Sequence, residues 1–275
     1  MASLKLNGDT SGTVTLTVPA VAGTNTLTLP AVTDTLVGLA ATQTLTGKTL
    51  TSPTITGAVL SAGTTSVAPL DFTSGTNLTS ALAGAMEYDG KVFYGTPQGT
   101  QRGVIPGMQF FRLNANLLGA NATGAQNIFG VSVTLSASTV YAFEAMYYFN
   151  KTAGTTSHTL GIGYGGSATL NSILYGGISF DGSTVLPTRA NAGDSQVASA
   201  SAANFVVTGA SSTAAATAFI SIKGIVSING GGTFTPQYTL SAAPGGAYST
   251  MANSYFLIYP IGAAGANTSV GAWAP

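Results

Sequence analysis

None of the 24 aromatic side chains in this 275-residue sequence lies before Phe72, so its opening quarter has no large ring with which to build a core. Residues 1–66 instead contain 18 Thr, 5 Ser and only four charges, Lys5, Asp9, Asp34 and Lys48. Their aliphatic side chains alternate with Thr, as in residues 13–18 (TVTLTV), 24–29 (TNTLTL) and 49–56 (TLTSPTIT). A period of two in β-branched residues predicts strands. Residues 13–21 (TVTLTVPAV) nearly repeat as 24–32 (TNTLTLPAV), and each copy closes on a proline. Short strands of small side chains bury too little apolar area to offset the entropy lost on ordering them. The segment therefore needs partners, either identical chains wound about a symmetry axis or the surface of a larger particle. Low-complexity disorder is the competing expectation for so much Thr, Ser and Gly.

Charge narrows the partners further. Charged residues make up 6% of the chain, and eight acids balance eight bases, against roughly 25% in an ordinary soluble domain. There is no Lys/Arg cluster to release counterions, so neither a nucleic acid nor an anionic membrane is an expected partner. A hydrophobic content of 45% argues against disorder of the whole chain. With no cysteine there is no disulfide, thiolate zinc site or thiol nucleophile. The opening MASLKLNG does not read as a secretory signal. The best apolar run, residues 255–266, is about half of a membrane span and contains Pro260, so membrane insertion is not expected. Sparse charge instead favours a protein whose surface is covered in an assembly.

From Phe72 onward the pattern is denser. Asp89-Gly90, between residues 86–88 and 91–94, predicts a tight type I′ hairpin. Further strands are predicted over 129–135, 141–150, 159–164, 173–180, 204–208, 218–228, 233–240 and 255–261, with turns at Asp181-Gly182 and Asn229-Gly230-Gly231-Gly232. Residues 196–218 are Ala-rich enough to suggest a short helix. About eight strands in this space predict an all-β sandwich or jelly roll.

The chemistry-bearing residues are few. His158 is the only histidine, so one chain cannot build a histidine metal cluster. Its setting, residues 153–159 (AGTTSHT), reads as a surface loop, and three copies about an axis could gather three such rings on a metal. No Gly-x-Ser-x-Gly occurs to supply an activated serine. Residues 161–166 (GIGYGG) match Gly-x-Gly-x-x-Gly, but no helix is predicted after them, so the glycines read as strand and turn positions where backbones approach closely. A polysaccharide-cleaving site would need two carboxylates about 5 to 10 Å apart. Glu87 and Asp89 read as solvent-facing turn acids. Residues 141, 143, 145, 147 and 149 form one apolar strand face, while Glu144 shares the other with Ala142, Met146 and Tyr148. Its carboxylate should pair with Arg112, Lys223 or a neighbouring subunit. Trp273 should anchor the tail against the head or a neighbour. No catalytic, cofactor-binding or metal-binding residue, and no cofactor, is expected.

Residues 27–30 (LTLP) and 44–55 (TLTGKTLTSPTI) resemble repeats near the N-termini of tailed-bacteriophage fibres and other virion structural proteins. Residues 84–94 (GAMEYDGKVFY), followed by Arg102-Gly103-Val104, are similar to a module that follows such repeats. With residues 223–228, 233–238 and 243–246, the likeness extends to phage fibres whose C-terminal jelly-roll head trimerises as tumour-necrosis-factor-like domains do. The resemblance implies a homotrimer with a virion-attachment or shaft segment over 1–66, a β neck with hairpin over 67–106 and a jelly-roll head over 107–275. It implies a short tail fibre that attaches to the host surface, with a capsid head fibre or decoration protein as the alternative and a tailspike depolymerase as the enzymatic rival. The implied location is a virion assembled in the host cytoplasm. The first segment would bind other virion proteins, and loops 153–159 and 188–201 would bind a host receptor or glycan with three-fold avidity.

Overall fold

The structure, a computed structural model, describes residues 3–7, 10–17, 21, 24, 49, 51, 53–181, 188–189, 196–199, 205–206, 213–265, 270 and 273. The 24–32 repeat and most of residues 44–52 therefore lie outside the described residues. Every regular element among those described is a β-strand, and every strand pair is antiparallel. The chain divides into two compact units, Met1–Ser61 and Ala62–Pro275.

In the first unit, β1 (Ser3–Asn7) pairs with β2 (Thr13–Thr17) in a hairpin whose turn includes Gly12 at φ +80°. The register sets Leu4 against Leu16 and Leu6 against Val14. Alternation with Thr and Lys is thus read as strand, as the sequence predicts. Leu6 remains 51% exposed, and a two-stranded ribbon with one apolar side is marginal by itself in water.

The second unit begins with a three-stranded meander of β3 (Met86–Tyr88), β4 (Phe93–Gly95) and β5 (Gly103–Ile105). The Asp89-Gly90 signal does make a hairpin, but residues 89–92 form its loop. A type I′ turn needs positive φ at both central residues, and only Gly90 has it, at +87°. Instead Asp89 Oδ1 accepts from the Lys91 and Val92 N–H groups, at 2.8 and 2.9 Å, and Oδ2 accepts from the Tyr94 hydroxyl at 2.8 Å. Burial alone would raise the Asp89 carboxyl. The Val92 N–H, the Tyr94 hydroxyl and the Lys91 N–H outweigh it and hold the group below its ordinary value.

The remaining strands form a sandwich. Its larger sheet has nine strands: β6 (Gln109–Arg112), β7 (Leu117–Leu118), β10 (Thr139–Lys151), β12 (Thr169–Asp181), β13 (Thr188–Arg189), β14 (Gln196–Ser199), β16 (Ala216–Gly230), β18 (Tyr248–Thr250) and β19 (Tyr255–Ala263). Its backbone order runs from β12 through β16, β10 and β19 to the edge strand β6. The smaller sheet has β8 (Gly124–Asn127), β9 (Val133–Leu135), β11 (Leu160–Gly165), β15 (Phe205–Val206) and β17 (Gly232–Leu240). Where the sequence suggests an Ala-rich helix over 196–218, the described residues are β14, β15 and the start of β16. Pairing with β12 and β11 overrides the local preference.

The core lies between the two sheets. Tyr141, Phe143, Ala145, Tyr147 and Phe149 of β10 are all buried, the face predicted from their spacing. Rings from the two sheets meet edge to face, Phe143 on Tyr164 at 5.1 Å and Phe149 on Tyr238 at 5.2 Å, while Tyr164 stacks on Phe234 at 4.7 Å. One position on the inner face of β16 is empty of side chain. Gly224 lies opposite Phe143 on one side and Tyr175 on the other. A Cβ there would run into the Phe143 ring and come within 2.6 Å of Tyr175 Cβ and 2.8 Å of the Leu174 carbonyl. The two rings thus occupy the space above the glycine.

Burial raises the phenols of Tyr147, Tyr164, Tyr175 and Tyr238, the last up to about 12. Unfolded phenols titrate near about 10, so above that pH the unfolded chain loses protons that the folded chain keeps. Stability should be full below about pH 10 and should fall as pH rises through the folded values. Urea midpoints at pH 8 and pH 11 should show that drop. At pH 8, Gly224→Ala should lower stability by about 1 to 3 kcal/mol because the core rings must move aside; a midpoint equal to wild type would contradict the packing described.

Candidate interaction surface

The larger sheet has a second face, turned away from the core, and the strand registers define its rows. In the central row Leu257 of β19, Glu144 of β10, Lys223 of β16 and Gly176 of β12 lie side by side, with Phe110 of β6 beyond Leu257. The row on one side reads Tyr259, Ala142, Ile225, Leu174. The row on the other reads Tyr255, Met146, Ser221, Ile178. Tyr148 and Phe219 follow in the next row. This face is apolar and open. Phe110 is 56% exposed, Leu174 and Ile225 are each 49% exposed, Ile178 is 43% and Tyr148 is 39%. The Phe110 and Tyr255 rings stack at 5.5 Å.

Its centre is charged and paired. Lys223 Nζ lies 3.2 Å from Glu144 Oε1, with both side chains substantially in solvent. Of the partners that the sequence offers for Glu144, the structure selects Lys223. Arg112 sits at the β6 rim opposite Tyr255, where its Nη1 donates to Asn253 Oδ1 at 2.5 Å. Because Gly176 carries no side chain, the central row opens into a shallow pit of about 350 Å³ between Leu174, Ile225, Tyr259 and the ion pair.

The outer face of the smaller sheet is different in kind. There Gly161, Gly163 and Gly165 of β11 lie opposite Thr239, Gln237 and Thr235 of β17, and Asn127 of β8 lies beyond Gln237. Gln237 Nε2 donates to Asn127 Oδ1 at 3.1 Å. Gly161, Gly163 and Thr235 of this face are buried, Gln237 and Thr239 are half-buried and Asn127 is exposed; a solvated antiparallel sheet alternates apolar-in with polar-out, and the larger sheet breaks that rule. At the open side of the sandwich, between β6 and β9, a cleft of about 310 Å³ is lined by Phe110, Phe111, Phe129, Val131, Val133 and Phe256 among others.

The residues singled out from sequence fall elsewhere and do not converge. His158 is 2% exposed, not on a surface loop. Its Nδ1 lies 2.9 Å from the Thr156 carbonyl and its Nε2 2.9 Å from the Tyr248 hydroxyl. A carbonyl can only accept, so Nδ1 carries a proton, and Nε2 is hydrogen-bonded to the Tyr248 hydroxyl. Both ring nitrogens are thereby engaged, which corrects the surface reading and removes the basis for a three-histidine metal site. The 161–166 glycines form β11 and its end, as expected of close backbone approach. A Cβ at Gly165 would strike the Gln237 amide, and Gly166 at φ +114° abuts the Thr233 carbonyl.

Glu87 is not the solvent-facing turn acid that the sequence suggests. Its Oε2 accepts from Arg102 Nε at 2.8 Å, and its Oε1 accepts from Arg102 Nη2 at 3.1 Å and from the Leu78 N–H at 2.6 Å. Arg102 Nη2 also donates to the Leu78 carbonyl at 2.7 Å. The pair lashes the irregular chain around Leu78 to the meander, and Lys91 Nζ reaches the Ala137 carbonyl of the sandwich at 2.9 Å. Trp273 is 79% exposed and donates to the Val270 carbonyl three residues back, so it is not packed against the head. Loop 153–159 is described. Within 188–201 the described residues are β13 and β14, which are strands and not a loop.

No protein family, curated protein or solved structure matches the chain. The fold places it among antiparallel β-sandwich proteins, and the arrangement described can bury an apolar face against another surface. The sequence carries one signal of that face, the apolar company of Glu144 on β10, but the rows across β6, β19, β16 and β12 exist only once the strands pair. Arg102→Ala should leave the Glu87 carboxylate largely out of water without a cation and cost about 2 to 3 kcal/mol. Proteolysis should then cut near Leu78 faster than in wild type; unchanged cleavage would show that the clip does not hold this segment.

Proposed function

We propose that the chain is a non-enzymatic structural protein of a tailed-bacteriophage virion, a short homotrimeric fibre whose first segment joins the particle and whose β head faces the host surface. The observation that carries this is the apolar strip along residues 55–82. Ile55, Leu60, Val67, Leu70, Leu78 and Leu82 are all exposed, and Val59 is 93% exposed, on a stretch with no regular strand. Side chains of this kind gain about 25 cal/mol per Å² when covered, and here they stay from about half to more than nine-tenths exposed. The exposed Leu6 of the β1–β2 hairpin extends the same need. The resemblance of residues 84–94 and 102–104 to a fibre module supports a virion setting for that need.

The acids weighed for a depolymerase are engaged in other work. Glu87 serves the Arg102 clip, Asp89 closes a turn, and Glu144 pairs with Lys223. A chain laid along a capsid as a decoration protein would satisfy the exposed strip equally well. Position on an intact particle separates the two: electron microscopy should find the protein at the tail, and density on the capsid shell would replace the fibre with the decoration protein.

Light scattering of the purified full chain should give about three chain masses, and a monomer at micromolar concentration would contradict the homotrimer. A chain lacking residues 1–66 should keep a folded, trimeric head yet fail to enter particles. Normal incorporation of that truncation would place attachment elsewhere.

A further inference from the structure

We propose that the outer face of the nine-stranded sheet is the surface through which identical copies of this chain bind one another, with Glu144 and Lys223 exchanging partners between copies. This rests on reading the chain as self-assembling, and it names the face and the contact that the reading leaves open.

The case begins with the polarity of the two outer faces. The outer rows of the smaller sheet are Gly, Thr, Gln and Asn, small or polar throughout, and Gly161, Gly163 and Thr235 among them are buried. The larger sheet presents Phe110, Tyr148, Leu174, Ile178 and Ile225 to solvent. Single exposed apolar residues are ordinary, whereas a contiguous patch marks an interaction site. Here the patch is contiguous by register, crossing β6, β19, β10, β16 and β12. Five strands at about 4.8 Å and eight residues at about 3.4 Å give a face of about 20 by 25 Å. That is about 500 Å² of flat area, somewhat below the roughly 800 Å² per partner of a standard interface and within the range of smaller ones.

The charges select the occupant. A central carboxylate beside a central ammonium makes the face complementary to a copy of itself. About a three-fold axis the Lys223 of each copy can turn to the Glu144 of one neighbour while its Glu144 takes the Lys223 of the other, so each charge keeps a partner when water is excluded. An anionic lipid surface would call for a basic fringe. At its rims the described residues supply two cations at opposite edges, Arg112, which is bonded to Asn253, and Arg189, set by register beside Phe180, and two separated cations do not make such a fringe. The pit over Gly176 has apolar walls at Leu174, Ile225 and Tyr259, which suit a side chain entering from an opposed copy.

Light scattering and sedimentation velocity of full-length variants test this. Ile225→Glu and Leu174→Glu alter half-exposed side chains, so circular dichroism should stay near wild type. The mass should fall from about three chains to one at micromolar concentration. Thr239→Glu, on the opposite outer face, should leave the mass unchanged. Glu144→Lys and Lys223→Glu should each dissociate alone, and the double variant Glu144→Lys/Lys223→Glu should regain the trimeric mass, because each contact again sets an acid against a base with the signs exchanged. If Ile225→Glu and Leu174→Glu both stay trimeric, this face is not the interface, although the trimer stands. If they dissociate but the double charge variant does not reassemble, the exchange of the pair is wrong. A monomeric wild type overturns both this inference and the homotrimer.

Discussion

A sheet has two faces and a second sheet can cover only one of them. The nine-stranded sheet of this protein is apolar on both, and its covered side is filled by rings such as Phe143, Phe149 and Phe256 packed against Tyr164, Phe234 and Tyr238. Its other side leaves Phe110, Tyr148, Leu174, Ile178 and Ile225 about half exposed. Strands that are apolar on both faces belong in the interior of something. In a single copy, β10, β16 and β12 are interior on one side only.

The inner core makes the outer surface possible. Gly224 lets the Phe143 and Tyr175 rings meet above β16, and that packing holds β10, β16 and β12 in the register that sets Glu144 beside Lys223 and Ile225 beside Leu174. Gly176, on the opposite side of β12, leaves the pit at the centre of the apolar rows. Two glycines in neighbouring strands thus work on opposite faces of one sheet, one admitting core rings and the other leaving a recess. Elsewhere the few charges perform local tasks, with Asp89 closing a turn and Glu87 with Arg102 tying irregular chain to the meander. Such sparing use leaves little electrostatic field at long range, so association must rest on contact area.

Much of the fold was legible because alternation is a local property. Residues 141–149 declared their core face, and the strands near 160, 175, 220, 235 and 258 were evident from β-branched and aromatic runs. Short strands such as β7 and β18 were missed, since two or three residues are too few for a period to show. Residues 196–199 carry small side chains whose strand state comes from pairing with β12, which the local sequence does not contain. The burial of His158 is hidden from the sequence for the same reason. Its neighbours in sequence are polar and small, whereas the group that buries it, Tyr248, lies 90 residues on. The candidate surface was half visible, through the company of Glu144 on one strand. The rest required knowing which strands lie beside it.

The central claim is that apolar side chains lying bare on one copy are covered in the native protein, and hydroxyl-radical labelling read residue by residue by mass spectrometry tests it most directly. Phe110, Met146 and Tyr148 should label in the native protein nearly as slowly as the core ring of Phe143, while Trp273, 79% exposed, labels fast. Labelling of Phe110 and Tyr148 at rates that match their 56% and 39% exposure in a single chain would show the face to be wet. That result would contradict the account.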